Sequence, residues 1–153
     1  MSSEVANELA PNGVLRAAIN MSNFLLVTGK TDNGDPDGVS PDMARELAGR
    51  LGVQLKLLPY KTPGEISDDA GKDIWDIGNI GAEPKRAEKI DFTAAYAEIQ
   101  STYMVPPGSE ITSLEQVDQP GIRIAVSARS AYDLWLERNI KKDVKYPTAS
   151  NIS

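Results

Sequence analysis

With 153 residues, 41% of them hydrophobic and 25% charged, the chain is long enough for one domain with its own core and too short for two full ones. A formal net charge of −6 excludes a nucleic-acid surface, because phosphate contacts need clustered Lys and Arg. The absence of Cys removes disulfides, thiolate metal sites and cysteine nucleophiles, and the absence of His removes the commonest general base and transition-metal ligand, so no cofactor or metal is expected. No apolar run approaches the ~20 residues of a membrane-spanning helix. The amino terminus, MSSEVANELAPNG, has neither the basic nor the apolar region of a secretory signal, so either an export peptide has been removed or the protein stays in the cytoplasm.

Residues 4–10 read as a short helix or an unstructured lead, closed by the turn signal Pro11-Asn12-Gly13. Residues 14–19 are mostly apolar and bounded by turn residues, which predicts a largely buried first strand. At its carboxyl end, where ligands bind in an open α/β sheet, the loop carries Asn20, Asn23 and Phe24; Phe24 reads equally as a pocket wall or as packing. Residues 25–28 suit a brief extended piece and residues 29–38 a solvated, hairpin-like loop, since the calcium-loop spacing with its closing Glu is absent. A helix is then predicted with Ser40 as N-cap, Pro41 at the first position, an apolar stripe of Met43, Ala44, Leu47, Ala48 and Leu51, and Gly52 as its stop. Residues 53–58 alternate as a second strand, residues 63–69 allow a turn or two of helix, and residues 73–80 make a third strand anchored by Trp75.

That third strand leads through Gly81 to a helix starting at Pro84, a residue favoured at the first helical position. A strand's carboxyl end thus meets a helix's amino end, where free N–H groups and the helix dipole favour an anion, and Arg86 adds a full charge. A carboxylate is the natural guest, unless Arg86 pairs with Glu83 as an ordinary surface pair. Residues 98–105 alternate as a further strand, and Pro106-Pro107-Gly108-Ser109, stiff at the prolines and free at the glycine, suits an interdomain crossing. Beyond it Ser113 and Gln116 frame a capping box, residues 122–127 read as a buried strand, residues 128–139 as a helix with Leu134, Trp135 and Leu136 on its apolar side, and residues 143–146 as one more strand.

Two segments together carry a resemblance: D-G-V-S-P-D-M-A-R-E-L-A-G-R-L-G, ending at Gly52, and the run from Asp76 through R-A-E-K-I-D-F-T to Tyr96. The chain resembles bacterial solute-binding proteins of family 3, periplasmic proteins that deliver polar amino acids to ABC importers. The resemblance covers nearly all of residues 14–146. It implies an α/β, type II periplasmic-binding fold of two lobes, with the first over residues 9–105, a hinge at 106–109 and the beginning of a second over 110–153. It also implies that Arg86 grips the carboxylate of a small-molecule solute, that Asn20, Asn23, Phe24, Asn79 and Gly81 surround that solute, and that Ser130 replaces the family threonine of a second-lobe motif. Two residues depart from the pattern. Glu83 stands where a hydroxyl is usual and is expected to tune or block Arg86, so that Glu83→Thr raises affinity for simple α-amino acids. Arg129 stands where glycine is usual, and either crowds the ligand or offers it a second cation.

A non-catalytic solute-binding component with an ABC permease as partner is the first reading. A cyclohexadienyl-dehydratase-like enzyme, with Glu83 as its candidate carboxylate, and a cytoplasmic sensory module are the alternatives on the same scaffold. By domain-size reasoning, the roughly 45 residues after the hinge are too few for an independent core without staples. The second lobe is therefore expected to be incomplete, with an open strand edge that invites self-association and with high-affinity binding lost in the isolated chain.

Overall fold

The computed structural model describes residues 3–141 and 148–149. The chain forms two compact units, one of residues 1–82 with 88–90 and the other of residues 83–87 with 91–153.

In the first unit, helix α1 (Ser3–Leu9) precedes strand β1 (Val14–Asn20), the short antiparallel pair β2 (Gly29–Lys30) and β3 (Pro36–Asp37), helix α2 (Val39–Leu51), strand β4 (Gln54–Tyr60), helix α3 (Pro63–Asp68) and strand β5 (Ile77–Asn79). The sheet is parallel, in the order β4-β1-β5, with Val14 opposite Gln54 and Ile19 opposite both Pro59 and Asn79. The central strand β1 is almost continuously apolar because both of its faces are covered, as parallel strands require. Leu15, Ala18 and Ile19 are fully buried. Pro59, which cannot donate to a ladder, lies in β4, which pairs with β1 alone among the described residues.

The one charged residue of β1, Arg16, is answered by Asp76. The carboxylate accepts from Arg16 Nε (3.0 Å), Nη2 (2.6 Å) and the Arg16 backbone N–H (2.7 Å), and the Asp76 N–H returns a bond to the Arg16 carbonyl (2.9 Å). Burial alone would raise the Asp76 carboxyl, but the Arg16 bonds outweigh it and hold the group below the usual carboxylate range. Asp73 joins this lock, its carbonyl and Oδ1 each accepting from Arg16 at 2.6 Å, and β5 is three residues long instead of the eight expected.

Helix α2 starts earlier than the sequence suggests. Gly38, not Ser40, is the N-cap, at φ 128°, and a Cβ there would lie 2.7 Å from the Leu26 carbonyl oxygen. Only glycine tolerates both the dihedral and the approach. Ser40 is instead buried inside the first turn, its N–H donating to Leu26 O (2.9 Å), and Pro41 occupies the third helical position. Ala44 and Ala48 face the core as expected, whereas Met43 lies on the exposed side. Gly52 closes the helix in the left-handed conformation, as predicted.

The second unit has little regular structure: the single turn α4 (Pro84–Ala87), a 3-10 turn at Leu114–Gln116 with the expected Ser113/Gln116 capping box, strand β6 (Val126–Ser127) parallel to β7 (Thr148–Ala149), and helix α5 (Ala131–Asn139). Its core is Val117, Ile124, Val126 and Leu136, with Tyr103, Ile111, Ile122 and Ile140 packed around them. Several expectations are corrected here. Residues 98–105 form no strand, since alternation supplies propensity and not a partner. The strand over residues 122–127 contracts to β6, α5 begins three residues later than predicted, and Trp135 is half exposed while Leu134 and Leu136 make the apolar face. The strand expected at residues 143–146 lies outside the described residues.

Candidate functional site

The first unit carries five of the expected residues at or just beyond the carboxyl ends of its strands. Asn20 ends β1 with its side chain buried, and its Oδ1 accepts from the Ser22 N–H (3.1 Å) and Ser22 Oγ (2.7 Å), a local turn that aims the following loop. The Asn20 carbonyl accepts from Asn23 N (3.2 Å), and the Asn23 carbonyl accepts from Leu26 N and Val27 N. Asn79 ends β5 opposite Ile19, and its Nδ2 donates to the Ser40 carbonyl (2.7 Å), which ties the strand end to the start of α2. Phe24 is 78% exposed, so it is not the packing residue that one reading of the sequence allowed. Gly81 is exposed two residues beyond β5. On the same unit Tyr60 donates to Asp69 (2.9 Å), and burial together with that bond pushes its phenol up to about 12.

The second unit brings together Glu83, Arg86, Arg129 and Ser130 around one turn. Arg129 adopts the left-handed conformation at φ 59°, which explains why the resembling motif has glycine there. Both of its backbone polar groups are engaged. Its N–H donates to Asp133 Oδ2 (2.6 Å), and its carbonyl accepts from Arg86 Nη2 (3.1 Å). Ser130 is the N-cap of α5, and its Oγ accepts from Asp133 N (3.2 Å). Arg129 therefore acts on Arg86 through its main chain as well as through its charge, and the main-chain role is one that side-chain reasoning does not anticipate.

Arg86 is only 4% exposed, yet it carries a full charge. Burial pushes its guanidinium below the ordinary arginine value; Glu83 draws it back up and Arg129 lowers it further. The exposed Glu83–Arg86 pair is not what forms, since both residues are buried. Glu83 accepts from both Nη1 and Nη2 of Arg138, the latter at 3.0 Å, in a forked pair, and Nη1 also donates to the Leu134 carbonyl (3.0 Å). The helix that carries Arg86 is a single turn of four residues, so its dipole contributes little beside the full charge of the guanidinium.

Arg138 and Asp133 were missed by sequence reasoning. Their roles depend on the fold, which carries α5 to residues 55 positions away in the case of Glu83 and Arg138. One signal pointed to the first: an anion in a slot that ordinarily holds a hydroxyl needs a compensating cation. Among the described residues no cluster of His, Cys, Asp or Glu is placed to hold a metal ion, and no helix is long and apolar enough to cross a membrane.

The family described as bacterial extracellular solute-binding proteins, family 3, matches residues 16–147, and the chain belongs to it. It is 29% identical over 140 residues to a cyclohexadienyl dehydratase of Pseudomonas aeruginosa, covering 89% of this chain and 52% of that protein. It is likewise 29% identical over 111 residues to the L-cystine-binding protein TcyJ of Escherichia coli, covering 72% of this chain and 42% of that protein. The chain thus spans about half the length of the curated relatives it matches. Among solved structures, an ancestral amino-acid-binding protein, a precursor of cyclohexadienyl dehydratase, superposes with a TM-score of 0.78 at 24% identity, covering 96% of this chain and 66% of that one. A lysine-complexed binding component from Wolinella succinogenes gives 0.68 at 20% identity over 92% of this chain and 60% of that one. The fold is accordingly the α/β type II periplasmic-binding fold.

Proposed function

We propose that the chain belongs to the periplasmic solute-binding component of an ABC importer, that its solute is an amino acid or a related carboxylate, and that Arg86 receives the carboxylate. The observation that carries this reading is the buried guanidinium of Arg86, steered by a backbone carbonyl at the Arg129 turn. A guanidinium in such a place suits bidentate pairing with a carboxylate. Asn20, Asn23, Phe24, Asn79, Gly81 and Ser130 are the further solute contacts of this reading, a permease is the delivery partner, and association of the second unit with another copy belongs to the same proposal. Calorimetry of the full-length protein with the standard L-amino acids and L-cystine tests it. Arg86→Ala should weaken the best binder about 30-fold or more, the loss typical of a truncated buried charge pair. Undiminished affinity would refute the role.

The similarity to the P. aeruginosa enzyme favours one second reading, a cyclohexadienyl dehydratase. Glu83, its candidate acid, has both oxygens committed to Arg138, which counts against proton donation. Turnover by the full-length protein in a cyclohexadienyl dehydratase assay would replace the binding reading.

A further inference from the structure

We infer that Arg138 is the residue that makes an acidic side chain at position 83 compatible with carboxylate binding. It is a positioning residue for the site of Arg86, and this inference rests on the reading of Arg86 given above. Glu83 and Arg86 lie three residues apart in one turn, and both are buried. Two opposite charges so placed favour each other, and a carboxylate solute arriving at Arg86 would meet the repulsion of Glu83. Helix α5 changes that balance. Its last turn delivers Arg138, whose fork takes both Glu83 oxygens and is itself held by the Leu134 carbonyl.

While Arg138 holds both Glu83 oxygens, the positive charge it adds offsets the repulsion that Glu83 would offer an anionic group of the solute. The same helix fixes the Arg129 turn through Asp133, so α5 sets both the charge beside Arg86 and the carbonyl that steers it. Because the Glu83 oxygens are already engaged by Arg138, removing Glu83 alone has little to release.

The test is a two-residue cycle in the full-length protein, with affinities for the standard L-amino acids and L-cystine measured by calorimetry and folding followed by thermal unfolding. Arg138→Gln is expected to weaken the best binder about tenfold or more, as for other mispaired charges beside a bound ion. Glu83→Thr alone does not weaken binding, and Glu83→Thr with Arg138→Gln regains most of the loss, because the double variant removes the carboxylate that Arg138 offsets. Arg138→Lys, which keeps the charge without the fork, stays close to the parent and carries the test if Arg138→Gln does not fold. A wild-type affinity in Arg138→Gln, a double variant as weak as Arg138→Gln, or an Arg138→Lys loss as large as that of Arg138→Gln overturns the inference. Unchanged binding in Arg86→Ala, or a parent that binds none of these solutes, overturns the carboxylate reading and this inference with it. A large Arg86→Ala loss beside an unaffected Arg138→Gln removes this inference alone.

Discussion

The two units keep their shape by different means. The first surrounds an apolar central strand with two parallel neighbours, and its single intrusive charge, Arg16, is matched by Asp76 just before the third strand. In the second, the apolar cluster is small, and all the ionisable side chains buried among the described residues, Glu83, Arg86 and Asp133, reside there. Apolar burial is non-directional and tolerates small errors, whereas a buried charge is stable only while its partner is in place. The first unit is thus specified by pattern, and the second by a short chain of polar contacts.

The largest expected effect attacks the pattern. Leu15→Ala, at a fully buried position, should cost about 3 to 4 kcal/mol. A shift of the urea midpoint measures it, and a loss below about 1 kcal/mol, the scale of an ordinary point change, would break the contrast between the units. Next comes the charged lock. Asp76 has a folded-state pKa below its unfolded value, so the stability it contributes is present above the unfolded carboxylate range, near pH 4, and is lost as pH falls through the folded value. Asp76→Asn should therefore cost about 2 kcal/mol at pH 7, by the weight of hydrogen bonds to charged groups, and should flatten the fall in stability between about pH 5 and pH 2. Equal acid sensitivity in parent and variant would show that Arg16 and Asp76 do not set it. The smallest effect belongs to the second unit. Arg129→Gly relieves a left-handed backbone cost of roughly 1 to 2 kcal/mol and gives back part of it as glycine entropy, for a net gain of about 0.5 kcal/mol. A lower melting temperature for this variant would mean that the arginine side chain outweighs the strain.

Legibility follows the same division. Strand β1, helix α2 and strand β4 could be read from the sequence because their apolar spacing repeats over seven or more residues. The start of α2 was misjudged because Ser40 has the better capping side chain, while Gly38 is demanded by a backbone approach to Leu26 that no local pattern reveals. The alternation over residues 98–105 looks like a strand, but a ladder needs a second strand, and sequence spacing does not supply one. Of the site, the Arg86 turn and the unusual Glu83 and Arg129 were visible as departures from a familiar motif. Arg138 was not, because its meaning comes from a contact between residues 55 positions apart.

The sheet order has a consequence for synthesis. Strand β1 is made first, yet its neighbours on both sides are encoded downstream, and Asp76, which answers Arg16, follows it by 60 positions. At about 5 to 20 residues per second, a ribosome needs roughly 3 to 12 seconds to close that gap. Strand β4 is made within that interval and can pair with β1 before Asp76 exists, so β1 is covered on one edge first and on the β5 side, with its Arg16, only at the end.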